Sequence, residues 1–164
     1  MIIVSDTSPI TNLAAIARLD LLQQLYEKVI IPAAVYRELT SAGEDIPGCR
    51  EVQTLDWITV RSVSNSEFVA SLQNQLDEGE AEAIALAIEL KAEWLLIDEE
   101  LGRRVAAEYQ IQMTGVLGIL IEAKHRGLIS AVKPLLDALI ETADFWVSQR
   151  LYNRVLEAVE EQER

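Results

Sequence analysis

Short apolar segments alternate with longer helical patterns along this chain, and that alternation restricts the possible folds more than any other feature. The predicted strands are IIVS (2–5), KVIIP (28–32), WITVR (57–61), WLLID (94–98) and YQIQM (109–113). Apolar, β-branched segments of this length are typical of strands buried on both faces. Helical segments between such strands favour βαβ units and a mostly parallel sheet. We therefore predict an α/β fold in which helices cover both faces of a central sheet.

Capping residues and proline mark the ends of several predicted helices. Ser8 and Pro9 predict a helix that begins at Pro9, and Gly127 predicts the end of another. Helices are predicted over about 9–17, from Pro32 to Thr40, 79–92, 99–108, and through VLGILIEAKHRG to Gly127. SAGEDIPG is predicted to be a loop because of its glycine, proline and acidic residues.

The length fits one domain, 1–164, with a core over about 1–126 and a helical extension over about 127–164. Ser130 and Ser148 are predicted to cap helices of this extension, the last being amphipathic. We expect Trp146 and Tyr152 to pack in the core, with a contact in a homodimer as the alternative.

Composition indicates an intracellular globular protein without membrane spans. No apolar segment approaches the ~20 residues of a membrane helix, and MIIVSD lacks the pattern of an export signal. Cys49 is the only cysteine, which excludes an internal disulfide and suits the reducing cytoplasm. The net charge of −13 disfavours long-range attraction of nucleic acid but is compatible with divalent cations or a basic partner protein.

Two aspartates directly follow predicted strands. Asp6 follows IIVS and Asp98 follows WLLI. In a parallel sheet both carboxylates emerge at the same edge, where ligands of open α/β sheets bind. Each aspartate alone could also serve as an ordinary turn or helix-cap residue.

Two glutamates are predicted to point inward from helices. At 100° per residue, Glu80 shares a helix face with Ile84 and Ile88, whereas the other acids of that helix lie on the opposite side. Glu38 follows Ala34 and Val35 on its own face. Because a buried carboxylate needs compensation, both residues suggest a bound cation. The acids that could replace Glu80 if the helix phase differs are Asp77, Glu78 and Glu82.

Carboxylates without histidine or cysteine ligands suit Mg²⁺ or Mn²⁺. Such ions make a water molecule more acidic and stabilise a leaving oxygen, which is the chemistry of phosphodiester hydrolysis. The four acids together therefore predict a metal-dependent phosphodiesterase site.

The chain resembles PIN-domain nucleases of the DTSPLI type. The resemblance rests on IIVSDTSPI, IPAAVYREL, LDEGEAEAIALA, WLLIDEELGRRVA and TGVLGILIEAKHRGLI, in the expected order and over nearly the whole chain. It implies a three-layer α/β/α fold and a Mg²⁺- or Mn²⁺-dependent endoribonuclease. The implied catalytic and metal-binding residues are Asp6, Glu38, Glu80 and Asp98, with Thr7 or Ser8 ordering the site.

The resemblance also implies possible partners. Many relatives are VapC-like toxins held inactive by a small antitoxin protein, and homodimers are common among them. This chain departs from the family where a glutamate stands in place of an aspartate on the third helix, and where basic residues are sparse. Its close basic clusters are Arg103 with Arg104 and Lys124 with Arg126.

Other function classes fit less well. A PIN fold that acts as a catalytically weak binding or regulatory module is the main alternative, favoured by the acidic charge. A phosphate-accepting receiver domain needs two adjacent acids after the first strand, but Thr7 follows Asp6. A haloacid-dehalogenase phosphatase needs an aspartate at position 8, which is serine, and the chain contains no P-loop motif.

Overall fold

A single parallel sheet forms the centre of the molecule. The computed structural model describes residues 1–162, so Glu163 and Arg164, at the end of the predicted extension, lie outside the described residues. Within this range five strands pair in parallel in the order β3-β2-β1-β4-β5. They are β1 Ile3–Ser5, β2 Val29–Pro32, β3 Ile58–Arg61, β4 Trp94–Leu96 and β5 Met113–Thr114.

Helices connect the strands and cover the sheet. Along residues 1–162 they are α1 Thr7–Ala15, α2 Asp20–Tyr26, α3 Ala33–Ser41, α4 Cys49–Thr54, α5 Ser66–Leu72, α6 Glu78–Leu90, α7 Glu100–Glu108, α8 Val116–His125, α9 Lys133–Thr142 and α10 Gln149–Ala158. The predicted three-layer α/β architecture is confirmed.

The alternating faces of the strands divide the interior into two cores. Ile3 and Leu96 belong to the core that α1, α2, α8, α9 and α10 complete, whereas Val4, Leu95 and Ile97 belong to the core beneath α5, α6 and α7. Each fully buried aliphatic side chain contributes about 1.5–3 kcal/mol to folding. Because adjacent residues of one strand serve different cores, a one-residue shift in the register of β1 or β4 would move each side chain to the wrong core.

The strand order creates a crevice where the connections diverge. β1 pairs with β2 on one side and with β4 on the other, so the chain leaves β1 in one direction and later returns on its opposite side. The register aligns Ser5 with Leu96, and the Asp6 N–H donates to the Leu96 carbonyl at 2.9 Å. Asp6 and Asp98 therefore follow neighbouring parallel strands at one edge, as predicted.

Several local boundaries differ from the sequence-based predictions. α1 begins at Thr7, so Asp6 and not Ser8 takes the N-cap position. The last strand is shorter than predicted, because Tyr109 and Gln110 bond back to the end of α7 and Gln110 adopts a φ of 58°. Helix α4 was not predicted; it begins with Cys49, which is buried and free.

The C-terminal extension is part of the first core. Leu136, Leu139 and Val155 are buried there, which confirms a packing role for the extension as a whole. Trp146 was predicted to pack in the core, but that prediction is wrong, because it is 83% exposed. Tyr152 is partly buried, and its hydroxyl donates to Asp137.

The carboxylate of Glu161, near the C-terminus, holds the start of α9 close to α8. The predicted cap at Ser130 is wrong, since α9 begins at Lys133. The carboxylate of Glu161 accepts hydrogen bonds from the N–H groups of Val132 and Lys133 and from Lys124 Nζ. Ser148 caps α10 by accepting from the Leu151 N–H, as predicted.

No helix among the described residues has the length and apolar character needed to cross a bilayer.

Candidate active site

Asp6 is a nearly inaccessible carboxylate at the crevice. It is 3% exposed and occupies the N-cap position of α1 without making a side-chain cap bond. Burial raises the pKa of Asp6 to about 7, the Thr7 backbone N–H lowers it, and the neighbouring acids Glu80, Asp77 and Glu38 raise it further. Asp6 thus lies within a group of like charges contributed by α3 and α6.

Glu80 and Asp77 form a reciprocal cap at the start of α6. The Glu80 N–H donates to Asp77 Oδ1 at 2.8 Å, and the Asp77 N–H donates to Glu80 Oε1 at 3.4 Å. Glu80 is 9% exposed, which agrees with its predicted inward orientation. Burial raises the pKa of Glu80 to about 7, and the charges of Asp77 and Glu99 act in the same direction. The cap orients Glu80 while leaving its carboxylate beside other acids.

Glu38 is exposed to solvent, yet its charge acts on Asp6. The prediction that Glu38 points into the core is wrong, because the residue is exposed. Its Oε2 instead accepts a hydrogen bond from Thr7 Oγ1 at 2.8 Å. A Cβ on Gly79 would lie 3.0 Å from the same oxygen, so glycine there lets α6 approach the carboxylate closely. Thr7 therefore orients one acid of the group.

The remaining acids at the start of α6 have structural contacts. Glu78 pairs with Arg37 on α3. Glu82 Oε1 accepts from the Ala34 N–H at 3.1 Å and so supplies a cap for α3. Of the open alternatives to Glu80, Asp77 is the one whose charge raises the pKa of Asp6.

Asp98 lies on the β4 side of the crevice, and its charge is not among those that shift the pKa of Asp6. Its Oδ1 accepts from the Val116 N–H at 3.0 Å, while its Oδ2 is buried without a hydrogen-bond partner among the described residues. Burial raises the pKa of Asp98, the Val116 N–H and Arg103 lower it, and Glu99 raises it. A buried carboxylate oxygen without a partner is costly in folding and therefore suggests a ligand.

Two further charged residues near Asp98 were not predicted as part of the site. Arg103 Nη1 donates to the Ile97 carbonyl at 2.9 Å, and its charge lowers the pKa of Asp98. Glu99 raises the pKa of both Glu80 and Asp98, so its charge links the two parts of the site. A second acid directly after Asp98 was the only sequence signal for this role.

The oxygen donors suit a hard divalent cation, although they are not gathered around one point. Along residues 1–162, none of the carboxylates of Asp6, Glu38, Glu80 and Asp98 forms an ion pair with a basic side chain. Over the same range no three acidic, histidine or cysteine side chains stand close enough to hold one ion. The buried, unpartnered Asp98 Oδ2 and the uncompensated Asp6 nevertheless fit the chemistry of a Mg²⁺ or Mn²⁺ ligand set.

Ser8 has a different position from Thr7. It lines a cleft of about 370 Å³ on the Asp98 side of the crevice, together with Asn12 one turn further along α1. Ser8 is therefore adjacent to the cleft beside Asp98 rather than to the group around Asp6.

Comparison with known families agrees with this geometry. A family model described as a PIN domain matches residues 2–161, nearly the whole chain. No match was found among curated proteins.

Proposed function

The chain belongs to the PIN-domain family, and we propose that it is a Mg²⁺- or Mn²⁺-dependent endoribonuclease. PIN domains are generally metal-dependent nucleases, which gives the class of reaction. The residues proposed to hold the metal are Asp6, Glu38, Glu80 and Asp98.

The observation that carries this proposal is the charge around Asp6. Its carboxylate is 3% exposed, lies among three other acids and has no cationic partner within residues 1–162. Removing a carboxylate from water costs several kcal/mol, and adjacent negative charges add to that cost. A site of this kind is unfavourable for folding alone and favourable for binding a divalent cation.

A bound divalent cation would supply Lewis-acid stabilisation of charge on the phosphate and would increase the acidity of the attacking water. The protein residues have separate tasks around it. Asp6 and Asp98 provide oxygens from the rigid ends of β1 and β4. Glu38 and Glu80 provide oxygens from helices, where side-chain rotation can adjust their positions. The Thr7 hydroxyl and the Asp77 cap hold these two glutamates near the crevice.

The carboxylates do not converge on one point among the described residues, so Glu38 and Glu80 would have to rotate toward Asp6 and Asp98 to hold a cation together with them. Like charges repel in the absence of a cation, and the two glutamates have the rotatable bonds needed to approach. Burial, with a smaller contribution from this repulsion, raises the pKa of Asp6 and of Glu80 to about 7. Metal binding is therefore expected to release protons below that pH.

The direct test is cleavage of a fluorogenic single-stranded RNA by the purified protein with Mn²⁺, Mg²⁺ or chelator. We expect cleavage that requires the metal and is lost in Asp6→Asn. The matched control is Asp56→Asn, which removes the same charge from an exposed position just before β3, at the opposite edge of the sheet. Equal cleavage by wild type and Asp6→Asn would exclude this site.

The same comparison can be made within α6. Glu80→Gln should abolish cleavage, whereas Glu89→Gln should not, because Glu89 is exposed and accepts only from the Ser64 N–H. If both glutamine variants lose activity equally, the effect belongs to the helix as a whole and not to the carboxylate beside Asp6.

The alternative function, a binding or regulatory PIN module with little turnover, is favoured by the separation of the described carboxylates. Calorimetry with Mn²⁺ distinguishes the two. The nuclease proposal expects Mn²⁺ binding that Asp98→Asn weakens, together with RNA cleavage. Absence of both Mn²⁺ binding and cleavage would favour the binding module.

The family resemblance also supports a cytoplasmic toxin that is controlled by a small antitoxin and forms a homodimer. The net charge of −13 is compatible with a basic partner protein. Light scattering of the purified chain tests the dimer, and a mass equal to one chain of 18.3 kDa would exclude it.

A further inference from the structure

Trp146 is the feature of the extension that packing does not explain. Its side chain is 83% exposed, whereas Trp57 is buried and Trp94 is partly buried. Leaving an indole in water gives up the large burial energy of an aromatic side chain, and tryptophan is enriched at contact surfaces. Within residues 1–162 the ring of Trp146 has no stacking or cation–π partner.

The neighbours of Trp146 hold the indole in this exposed position. Phe145 and Val147, on either side, are partly buried against the first core. The segment before them is fixed by the end of α9, where the Phe145 N–H donates to the Leu139 carbonyl at 3.1 Å. With Phe145 and Val147 packed against the core on either side, Trp146 is the exposed residue between them. The packing of the connection between α9 and α10 therefore keeps the Trp146 side chain exposed.

Trp146 forms one wall of the cleft on the Asp98 side of the crevice. That cleft, here called the Trp146 cleft, has a volume of about 370 Å³ and is also lined by Ser8, Asn12, Asp98, Glu99, Glu100, Asp144 and Phe145. It is continuous with the candidate active site, since Asp98 belongs to both. The C-terminal extension therefore contributes directly to the surface beside the proposed metal ligands.

The chemistry of the Trp146 cleft favours a base over a phosphate. Glu99, Glu100 and Asp144 place negative charge around it, which repels phosphate groups. Their carboxylates accept hydrogen bonds from amino groups, such as N4 of cytosine. An indole face stacks with any base, and such stacking contributes about 1–3 kcal/mol per base. The combination suits an unpaired base with an exocyclic amino group.

We propose that the Trp146 cleft binds one unpaired base of the RNA substrate, stacked on the Trp146 indole, and that it favours bases with an exocyclic amino group over uracil. This proposal rests on the proposed ribonuclease function and specifies its substrate as single-stranded. Duplex RNA keeps its bases stacked and does not present one to the cleft.

The binding test uses the full-length Asp6→Asn protein, which should not cleave, and short fluorescent oligocytidine and oligouridine in Mg²⁺. Adding Trp146→Ala should weaken oligocytidine binding about 5- to 150-fold, the equivalent of one lost stacking contact. Trp146→Phe should retain most of the affinity because it keeps an aromatic face. The matched control is Leu151→Ala, which truncates an exposed apolar side chain elsewhere in the extension, on α10.

A second variant tests base preference. Asp144 has a φ of 54°, a conformation that asparagine adopts readily, so Asp144→Asn removes the charge without straining the backbone. It should reduce the advantage of oligocytidine over oligouridine while leaving stacking intact. An unchanged preference would contradict a role for Asp144 in reading the base.

Kinetics of the protein with an intact active site separate this proposal from the ribonuclease proposal. Trp146→Ala should raise KM for single-stranded RNA and change kcat little, because Trp146 lies beside the metal ligands and not among them. Cleavage with equal KM in wild type and Trp146→Ala would overturn the cleft proposal while leaving the ribonuclease proposal intact. Absence of cleavage by wild type would overturn the ribonuclease proposal itself, and absence of oligocytidine binding would overturn the cleft proposal.

Discussion

Replacing Asp6 with asparagine should stabilise the metal-free protein at alkaline pH even as it removes activity. The folded protein holds a proton on Asp6 up to a pKa of about 7, because burial and three neighbouring acids oppose ionisation. The unfolded chain releases that proton near 3.8. Ionised Asp6 is therefore a source of instability that asparagine, with almost the same shape, does not have.

The sign of the pH dependence follows from these two values. Below pH 3.8 the Asp6 carboxyl is protonated in both the folded and the unfolded state, so Asp6 makes no contribution to the pH dependence of the free energy of unfolding. Between 3.8 and about 7 the folded state binds more protons than the unfolded state, and stability falls as the pH rises. Above about 7 the carboxyl is ionised in both states and the loss is complete.

The magnitude comes from the part of this window that lies above pH 5. About two pH units separate pH 5 from the folded pKa, and each unit corresponds to about 1.36 kcal/mol. Between pH 5 and pH 8, wild type should therefore lose about 3 kcal/mol of stability relative to Asp6→Asn. Glu80, whose pKa is also raised, interacts electrostatically with Asp6, so the difference between the two proteins contains the titration of Asp6 together with any change it causes in Glu80.

Urea denaturation at pH 5 and pH 8, with chelator present, measures this difference. Asp56→Asn should show no such pH-dependent gain, since Asp56 is exposed. Saturating Mn²⁺ at pH 8 should stabilise wild type by about 2.7 kcal/mol at a concentration about 100 times its Kd, and should not stabilise Asp6→Asn. A stability difference between wild type and Asp6→Asn that is equal at both pH values would refute the reasoning.

Three other predictions concern the two parts of the site and the extension. A Cβ on Gly115 would overlap Asp98 Oδ1, so Gly115→Ala should displace the carboxylate and lower Mn²⁺ affinity at least about tenfold in calorimetry. The Mn²⁺ affinity of wild type should increase as the pH rises toward 7, by up to about tenfold per pH unit for each proton displaced from Asp6 or Glu80, and level off above it. Glu161→Gln should lower the free energy of unfolding by about 1–3 kcal/mol at pH 7, because a neutral amide cannot reproduce the charge-assisted bonds that Glu161 accepts from Val132 and Lys124.

The contradicting results are equally specific. Unchanged Mn²⁺ affinity in Gly115→Ala would remove Asp98 from the ligand set, and pH-independent affinity would mean that Asp6 does not bind the metal. Burial opposes ionisation of Glu161, but its hydrogen bonds with Val132, Lys133 and Lys124 hold its pKa below the ordinary value of 4.5. Its stabilising effect should therefore persist above pH 4.5 and be lost as the pH falls through the folded pKa. A deficit in Glu161→Gln that remains constant in strong acid would contradict that account.

The periodicity of the sequence was sufficient to predict the positions of Asp6 and Asp98 at one edge of the sheet and the inward orientation of Glu80. Asp6 and Asp98 could be assigned to one edge because the alternation of strands and helices implies a parallel sheet, whereas the pairing of β1 with β4 comes from the structure. The inward orientation of Glu80 followed from its spacing to Ile84 on α6. These predictions depend on directions that the backbone fixes for the first bonds of a side chain.

Features that depend on contacts between distant elements could not be predicted. Helical phase places Glu38 beside Val35 and so predicted an inward side chain. The residue is instead exposed, and its carboxylate accepts a hydrogen bond from Thr7. Asp77 precedes α6 and gave no periodic signal, although its charge acts on Asp6. The apolar character of Trp146 predicted burial, whereas the anchoring of its two neighbours forces it outward.

The most direct test of the central claim is a crystal structure of the protein soaked in Mn²⁺, with anomalous diffraction used to locate the ion. The account predicts Mn²⁺ in the crevice between the ends of β1 and β4, coordinated by Asp6 and by the Asp98 oxygen that accepts no hydrogen bond from residues 1–162, with Glu38 or Glu80 moved toward it. A structure in which Mn²⁺ is absent from the crevice while these carboxylates keep their separate positions would contradict it.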